Sequence, residues 1–195
     1  LSFLFCFSMY IPAEAFRQHF DPRTYLRETY LLCELQWGGS AKLWRHWVRN
    51  YSYDNNDNDD GDDDNRCHAE KYFLEEVFEP RSYKVCNMTW YLSWSPCYKC
   101  CDIIQNFLEE HHNVNIDIYV ARLHCINDAR NCRALRELAS LEGVNYLASV
   151  SPDYRYCWET FIQEDVYYNF SPANFRSAIE RNRLKLDNIL TVSTL

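Results

Sequence analysis

The sequence has few of the residues that mark fibrous or low-complexity chains. Only 4 glycines and 6 prolines occur among 195 residues, which excludes a collagen-like repeat or a Gly/Pro-rich linker protein. A long hydrophobic run is also missing, because the apolar stretch at residues 1–12 is shorter than the roughly 20 residues of a membrane-spanning helix. Hydrophobic residues nonetheless make up 47%, so the chain can bury a core, and its length favours one domain over residues 1–195.

Basic residues are scarce as well, since 20 Lys and Arg face 28 Asp and Glu, for a net charge of −8. A basic patch is the usual mark of a nucleic-acid-binding protein. However, seven of the acidic residues lie in one run at 54–65, DNNDNDDGDDDN, and the remainder has 21 acidic against 20 basic residues. The acidity therefore belongs to one loop insert, expected to be flexible, and the body of the chain is compatible with a nucleic-acid partner.

The N-terminus and the cysteines indicate the compartment. Ala13-Glu14-Ala15 resembles a signal-peptidase site, but no positively charged segment precedes the apolar stretch. We therefore expect a cytoplasmic and/or nuclear protein with no membrane association. The ten cysteines are irregularly spaced, and apart from the motif at 97–101 most are predicted to be reduced, half-buried core thiols: Cys33, Cys86, Cys125, Cys132 and Cys157.

Hydrophobic periodicity predicts a β-hairpin followed by alternating helices and strands. The predicted strands are Tyr25–Trp37, Ala41–Asn50, Tyr83–Trp94, Val114–Leu123, expected to be buried on both faces, and Val144–Val150. The predicted helices are Ala13–Phe20, Cys67–Glu79, a segment from Ser95 as N-cap to about His112, Asp128–Leu141, Ser151–Phe161 and Pro172–Leu190. This order favours an α/β fold in which a mixed five-stranded sheet is layered with about six helices.

Two short motifs carry metal-site chemistry. His68-Ala69-Glu70 is followed by Pro96-Cys97-Tyr98-Lys99-Cys100. One imidazole and two thiolates suit Zn²⁺, and three protein ligands leave a fourth position for water, as in catalytic zinc sites. Both motifs lie at predicted helix N-termini, where the helix dipole favours thiolates.

Glu70 is the candidate catalytic residue, because a carboxylate beside the metal can take a proton from water and deliver it to a leaving group. Alone, the Cys-x-x-Cys motif would indicate a redox pair or half of a structural zinc site. The combination with His68 and Glu70 has the signature of zinc nucleobase deaminases, a system that serves as a standard example of this chemistry. Cys101 lies off the face shared by Cys97 and Cys100 and is not a predicted ligand.

Longer segments resemble the AID/APOBEC family of polynucleotide cytidine deaminases. The segment TWYLSWSPC at 89–97 resembles that family's strand-to-helix signature, as do Ala121-Arg122-Leu123 and Tyr156-Cys157-Trp158. The segments RETYLL at 27–32, WGG at 37–39 and WRH at 44–46 are most similar to its apolipoprotein B mRNA-editing branch. The resemblance implies a cytidine deaminase-like three-layer α/β/α sandwich.

The resemblance also implies an activity, namely zinc-dependent deamination of cytosine to uracil in single-stranded DNA or RNA. His68, Cys97 and Cys100 would hold Zn²⁺ and Glu70 would shuttle protons. The implied substrate contacts are the backbones of Ala69 and Ser95, the pocket residues Trp94 and Thr29, the sugar contact Asn50, and His124, which occupies the place of a stacking aromatic. Single-stranded DNA or RNA is the expected partner, and assembly into a homo-oligomer is left open.

Several residues keep two interpretations. Trp44 and Trp47 fit either strand contact or hairpin packing, whereas Trp90 and Trp158 are predicted core residues. Arg122 fits either a buried ion pair or a phosphate contact.

Two other functions remain open for the whole chain. One is a zinc-stabilised nucleic-acid-binding or interaction protein of the same fold with weak or no activity. The other is a free-nucleoside deaminase, which uses similar zinc chemistry. A nucleoside enzyme needs no strand groove, so the terminal helices, Trp94 and Asn50 count against it.

The acidic run also has three interpretations. It fits a calcium loop poorly, because position 12 of the template would be Cys67 rather than Glu. It can act as an electrostatic gate that repels phosphates, or it can be a solvated loop without function.

Overall fold

The computed structural model describes residues 9–52, 66–81, 84–149, 154–163 and 166–191. Five strands form the main sheet: β1 (Tyr30–Trp37), β2 (Leu43–Arg49), β5 (Cys86–Leu92), β6 (Val114–Val120) and β7 (Val144–Ser149). Their order is β2-β1-β5-β6-β7; β2, β1 and β5 are antiparallel, and β5, β6 and β7 are parallel. The predicted mixed five-stranded sheet is confirmed.

Turn chemistry and burial account for the strand boundaries. The hairpin between β1 and β2 turns at Gly38 and Gly39, whose φ angles of +55° and +70° suit residues without a Cβ. β1 begins at Tyr30, five residues later than predicted, and residues 21–29 form a loop. β6 alternates between buried and half-buried residues, so the prediction that it is buried on both faces is wrong.

Among the described residues, six α-helices flank the sheet: α1 (Ala13–Phe20), α2 (Ala69–Tyr72), α3 (Tyr98–Glu110), α4 (Ala129–Ala139), α5 (Tyr154–Phe161) and α6 (Arg176–Thr191). A π-helical turn, Phe73–Val77, continues α2, and a 3₁₀ turn, Pro172–Phe175, precedes α6. The N-cap of α3 is Cys97, so the prediction that Ser95 caps this helix is wrong. Asp128, the first residue of the predicted helix, is the N-cap of α4, and its side chain accepts the Arg130 N–H.

Alternate residues of β1 enter two different cores, which gives the fold three layers. Leu31, Cys33 and Leu35 pack in one core, together with buried residues of α3 and α4. Tyr30 and Leu32 pack in the other core, which α1 and α5 cover. The two faces of β1 therefore pack against different helical layers, one on each side of the sheet.

The tryptophans and cysteines separate core from surface. Trp90 and Trp158 are buried as predicted, and Trp44 is 41% exposed. Trp47 stacks on Tyr30 with ring centroids 5.9 Å apart. No disulfide joins any of the nine described cysteines. Cys33, Cys86 and Cys157 are buried and Cys132 is half-buried, but Cys125 is exposed, so its prediction as a core thiol is wrong.

A second, two-stranded sheet pairs β3 (Tyr51–Ser52) with β4 (Arg66–Cys67). β3 directly follows Asn50, and β4 directly precedes His68. The acidic run at 54–65 lies between them, outside the described residues. Among the described helices, none is long and apolar enough to cross a membrane.

Candidate active site

Two helix N-termini bring together the three predicted metal ligands. His68 is the N-cap of α2 and Cys97 is the N-cap of α3, with Cys100 in the first turn of α3. Nδ1 of His68 lies 3.1 Å from Sγ of Cys100 and 3.5 Å from Sγ of Cys97. All three ligand atoms lie within 4.8 Å of one another. Among the described residues, no other cluster of His, Cys, Asp or Glu side chains could hold a metal ion.

The donor set and its spacing fit a zinc ion. With Zn–N of about 2.1 Å and Zn–S of about 2.3 Å, tetrahedral geometry places nitrogen and sulfur ligands about 3.6 Å apart. The 3.5 Å contact between His68 and Cys97 matches that spacing. Three ligands of this kind leave room for a fourth ligand, as in a catalytic site.

The electrostatics of the two thiols favour a bound cation. The hydrogen bond between them lowers the pKa of Cys97 to about 4 and raises the pKa of Cys100. The pair therefore shares one negative charge at neutral pH, at the positive end of a 13-residue helix. A bound dication would release the remaining thiol proton.

Cys101 belongs to the core and not to this cluster. It is 3% exposed and packs in the core beside α3. Its Sγ lies 4.0 Å from the Pro96 carbonyl oxygen. Burial is the main reason that the pKa of Cys101 is raised, which disfavours the thiolate that a metal ligand needs.

Glu70 is a buried carboxyl group beside the ligand cluster. It lies in the first turn of α2 and is 3% exposed. Burial raises the pKa of Glu70. A carboxyl group whose pKa is raised toward neutrality can both accept and return a proton.

An open cavity of about 330 Å³ leads from the surface to this cluster. The residues that line it come from five segments: Tyr25, Leu26, Arg27, Thr29, Asn50, His68, Glu70, Trp94, Ser95, Cys97 and His124. Most predicted substrate contacts are among them. Ala69 is not, because it is fully buried.

The sequence predicts Tyr25, Leu26 and Arg27 to be part of a strand and does not reveal that they line the cavity. These three side chains are exposed, and Tyr25 is 84% exposed. The Asp21-Pro22 turn and the charged pair Arg27-Glu28 interrupt the strand alternation and were the available signals of a loop.

Trp94 and His124 form two walls of the cavity. Their ring centroids are 6.3 Å apart and the ring planes meet at 85°. The indole N–H of Trp94 donates to the Leu26 carbonyl at 2.8 Å, and the hydroxyl of Ser95 accepts the His124 backbone N–H at 2.8 Å. Both walls are thus fixed to neighbouring loops.

Thr29 and Asn50 are joined by two hydrogen bonds at the cavity rim. The Asn50 side-chain oxygen accepts the Thr29 N–H, and the Asn50 N–H donates to the Thr29 carbonyl, each at 3.0 Å. The backbone N–H of Ser95 donates to the Arg122 carbonyl at 2.8 Å. A base contact from the Ser95 backbone would therefore use its carbonyl.

Arg122 fits neither of its two sequence interpretations. It is 2% exposed, too buried for a phosphate contact, and among the described residues it forms no salt bridge. Its guanidinium donates to backbone carbonyls of Ser93, Thr24 and His19 at 3.0, 2.7 and 2.6 Å. It also lies 4.2 Å from the centroid of the Trp94 ring, so Arg122 supports the cavity wall from behind.

A family comparison matches this architecture. The family model described as APOBEC4-like AID/APOBEC deaminase matches residues 19–164. The chain belongs to the AID/APOBEC deaminases. This family is zinc-dependent in general, and His68, Cys97 and Cys100 form a group able to hold the metal.

Curated relatives confirm the likeness to the apolipoprotein B mRNA-editing branch. The C-to-U-editing enzyme APOBEC-1 of Mus musculus is 38% identical over 167 residues, 84% of this chain and 64% of the relative. Its Homo sapiens counterpart is 35% identical over 146 residues, 73% of this chain and 56% of the relative. The DNA dC-to-dU-editing enzyme APOBEC3 of Rattus norvegicus is 37% identical over 103 residues, 49% of this chain and 23% of the relative. The chain thus spans about two thirds or less of their lengths.

The AID/APOBEC signature segments divide between site and scaffold. Residues 89–97 run from β5 into the N-cap of α3 and supply Trp94, Ser95 and Cys97 to the cavity. In contrast, Tyr156 donates its hydroxyl to the buried Glu34 carboxylate at 2.8 Å, and Cys157 packs in the core under α5. That segment supports the fold and does not line the cavity.

Proposed function

We propose that this chain is a zinc-dependent deaminase that hydrolyses cytosine to uracil in single-stranded DNA or RNA. One observation carries the proposal: the buried carboxyl group of Glu70 lies beside His68, Cys97 and Cys100 on the lining of a solvent-open cavity. The relatives named C-to-U-editing and DNA dC-to-dU-editing enzymes support nucleic acid as the substrate class.

Each residue of the cluster has a distinct role in this proposal. His68, Cys97 and Cys100 hold Zn²⁺, which, when bound, makes water a stronger acid and nucleophile. Glu70 accepts a proton from the attacking water and returns it to the amino nitrogen of cytosine, which leaves as ammonia. Burial of Glu70 serves this role because it brings the pKa of the carboxyl group closer to the working pH.

The cavity walls suit a base that is turned out of its strand. Trp94 and His124 offer flat faces on two sides, and Thr29 and Asn50 place polar groups at the rim. An extruded base needs such flat walls and polar contacts to its edge. Ala69, which is buried, would contribute through its backbone in the first turn of α2.

Exposed residues beside the cavity suit a continuing strand. Tyr25 is 84% exposed and can stack on a neighbouring base, while Arg27 can pair with a phosphate. A free nucleoside would leave both groups without a role. A homo-oligomeric state and a cytoplasmic or nuclear location stay predictions.

The test compares the purified protein with Glu70→Gln and with Glu75→Gln, an exposed carboxylate one turn further along the same segment. Each is given a cytosine-containing DNA strand, the matching RNA and free cytidine, and uracil and bound zinc are measured. We expect the unchanged protein and Glu75→Gln to produce uracil in a strand. We expect Glu70→Gln to keep zinc and to lose at least about 100-fold in rate.

Three outcomes contradict the proposal, each in a different way. If the unchanged protein and Glu70→Gln give equal uracil signals, the Glu70 carboxylate takes no part in the reaction. Reaction of free cytidine alone indicates a nucleoside deaminase. Tight, zinc-dependent strand binding without any uracil indicates a nucleic-acid-binding protein that has lost turnover.

A further inference from the structure

Asn131 is a buried polar residue that the proposed chemistry does not use. It lies in the first turns of α4, is 3% exposed and is not among the residues that line the cavity. Asparagine is a poor helix former and is seldom buried. A buried side-chain amide is expected to find hydrogen-bond partners, and those of Asn131 lie in two separate parts of the site.

The two partners of Asn131 fix the orientation of its amide. The side-chain oxygen accepts the backbone N–H of Tyr98 at 2.8 Å, and the side-chain nitrogen donates to the carbonyl of Cys125 at 3.2 Å. Because the backbone N–H of Tyr98 can only donate, the amide oxygen must face it. The amide nitrogen is therefore the atom that faces Cys125.

These two bonds connect the metal-ligand helix to a cavity wall. Tyr98 is the first residue of α3 and directly follows Cys97. Cys125 directly follows His124 in the loop between β6 and α4. The Asn131 side chain therefore joins the start of α3 to the loop that carries His124, in addition to the bond from the His124 N–H to the Ser95 hydroxyl.

The loop needs such support because its backbone is strained at Cys125. This residue has a φ of +40°, the one non-glycine residue with positive φ among those described. L-residues other than Asn and Asp rarely adopt that region. The Cys125 carbonyl is held by Asn131 and by the Asp128 N–H at 2.9 Å. The turn held in this way follows His124 immediately, so a shift of this turn would displace the backbone that carries the imidazole.

We infer that Asn131 is a positioning residue that fixes the His124 wall of the cavity relative to the helix bearing Cys97 and Cys100. The effect on catalysis rests on the proposed function: the opening between His124 and Trp94 determines how a cytosine and its neighbouring base are seated. Asn131 itself touches no substrate.

The decisive variant is Asn131→Asp. The aspartate keeps an oxygen for the Tyr98 N–H but turns a second oxygen toward the Cys125 carbonyl, so it replaces the bond to the loop by a repulsion between two acceptors. Asn131→Ser, which is too short to span both partners, serves as the second variant. Asn182→Asp is the matched control, because Asn182 also donates from its amide to a carbonyl of the same connection, that of Ala121 at 3.1 Å.

The first readout is the NMR signal of the His124 ring in protein with labelled histidine. The chain has six histidines, and His124→Gln assigns the signal by its loss. The Trp94 ring current acts on His124 at 6.3 Å, so a displaced imidazole changes its shift. We expect Asn131→Asp and Asn131→Ser to move this signal, and Asn182→Asp to leave it in place. This readout requires no activity and therefore stands even if the proposed function fails.

The second readout is base selectivity, measured on strands that differ only in the base 5′ to the target cytosine. We expect Asn131→Asp to change the ratio of kcat/KM values by about threefold or more while bound zinc is unchanged, and Asn182→Asp to keep the ratio. If Asn131 had a purely structural role, Asn131→Asp and Asn131→Ser would lower Tm without changing the ratio of kcat/KM values. An unmoved His124 signal in folded Asn131→Asp and Asn131→Ser overturns the inference, as does an equal shift in Asn182→Asp.

Discussion

Arg122 offers the sharpest test of how the cavity wall is held. The substitution Arg122→Lys keeps the positive charge and most of the aliphatic chain. It removes the planar fork that reaches three backbone segments at once, those of Ser93, Thr24 and His19. The pKa of Arg122 is lowered by burial to about 10, so the guanidinium is still charged at neutral pH and its bonds are charge-assisted.

The expected loss of stability follows from those bonds. A lysine ammonium can satisfy one of the three carbonyl sites and leaves the other two without a donor. A hydrogen bond to a charged group contributes about 1.5–3 kcal/mol, and stacking of the guanidinium on Trp94 adds about 1 kcal/mol. We therefore expect Arg122→Lys to lower the free energy of unfolding by about 4 kcal/mol or more. For a chain of this size, that corresponds to a fall in Tm of roughly 8 °C or more.

The assay is urea and thermal unfolding of the protein, Arg122→Lys and the control Arg183→Lys. Arg183 is half-exposed and pairs with Glu180 at 2.9 Å on the surface of α6, where an ion pair contributes less than about 1 kcal/mol. We expect the control to unfold like the unchanged protein. If Arg122→Lys also stays within about 0.5 kcal/mol of it, the bonds to the three segments do not hold the wall, and the reasoning is refuted.

Three further outcomes are expected. Cys97→Ser should bind no zinc, so a chelator should not lower its Tm. Cys101→Ser should still bind zinc, and a chelator should lower its Tm. Loss of zinc from both variants would contradict the assignment of the ligands. Burial lowers the pKa of His19, so the unfolded chain takes up a proton near pH 6.5 that the folded chain does not, and stability is lost as pH falls below that value. Replacing His19 with Phe should shrink the difference in unfolding free energy between pH 7.5 and 5.5, and an unchanged difference would show that another group is responsible. Deleting residues 54–65 should tighten single-strand binding more at 50 mM salt than at 300 mM, and no gain at low salt would favour the solvated-loop interpretation.

The ligand group could be predicted because its information is local. Cys97 and Cys100 lie in one helical turn, and the helix N-terminus follows from the sequence around them. His68 is 29 residues from Cys97, and it was identified as the third ligand by the known signature of zinc nucleobase deaminases.

The rim of the cavity depended on contacts that the sequence does not display. The predicted strand begins at Tyr25, but residues 21–29 form a loop, and Arg122, about a hundred positions away, binds Thr24 in this loop and His19 in α1. Ser95 has the pattern of an N-cap, but its hydroxyl is taken by the His124 N–H. In both cases a tertiary hydrogen bond prevailed over a local preference.

The small sheet of β3 and β4 has a consequence for how this chain can vary. Its two residue pairs, Tyr51 with Cys67 and Ser52 with Arg66, hold the neighbours of Asn50 and His68 side by side. Doubling the number of residues that join two paired segments costs only about 0.6 kcal/mol in closure entropy. Aspartates can therefore be added to or removed from the sequence between these pairs while Asn50 and His68 keep their positions. The charge near the active site can thus change in evolution without a change in the geometry of the site.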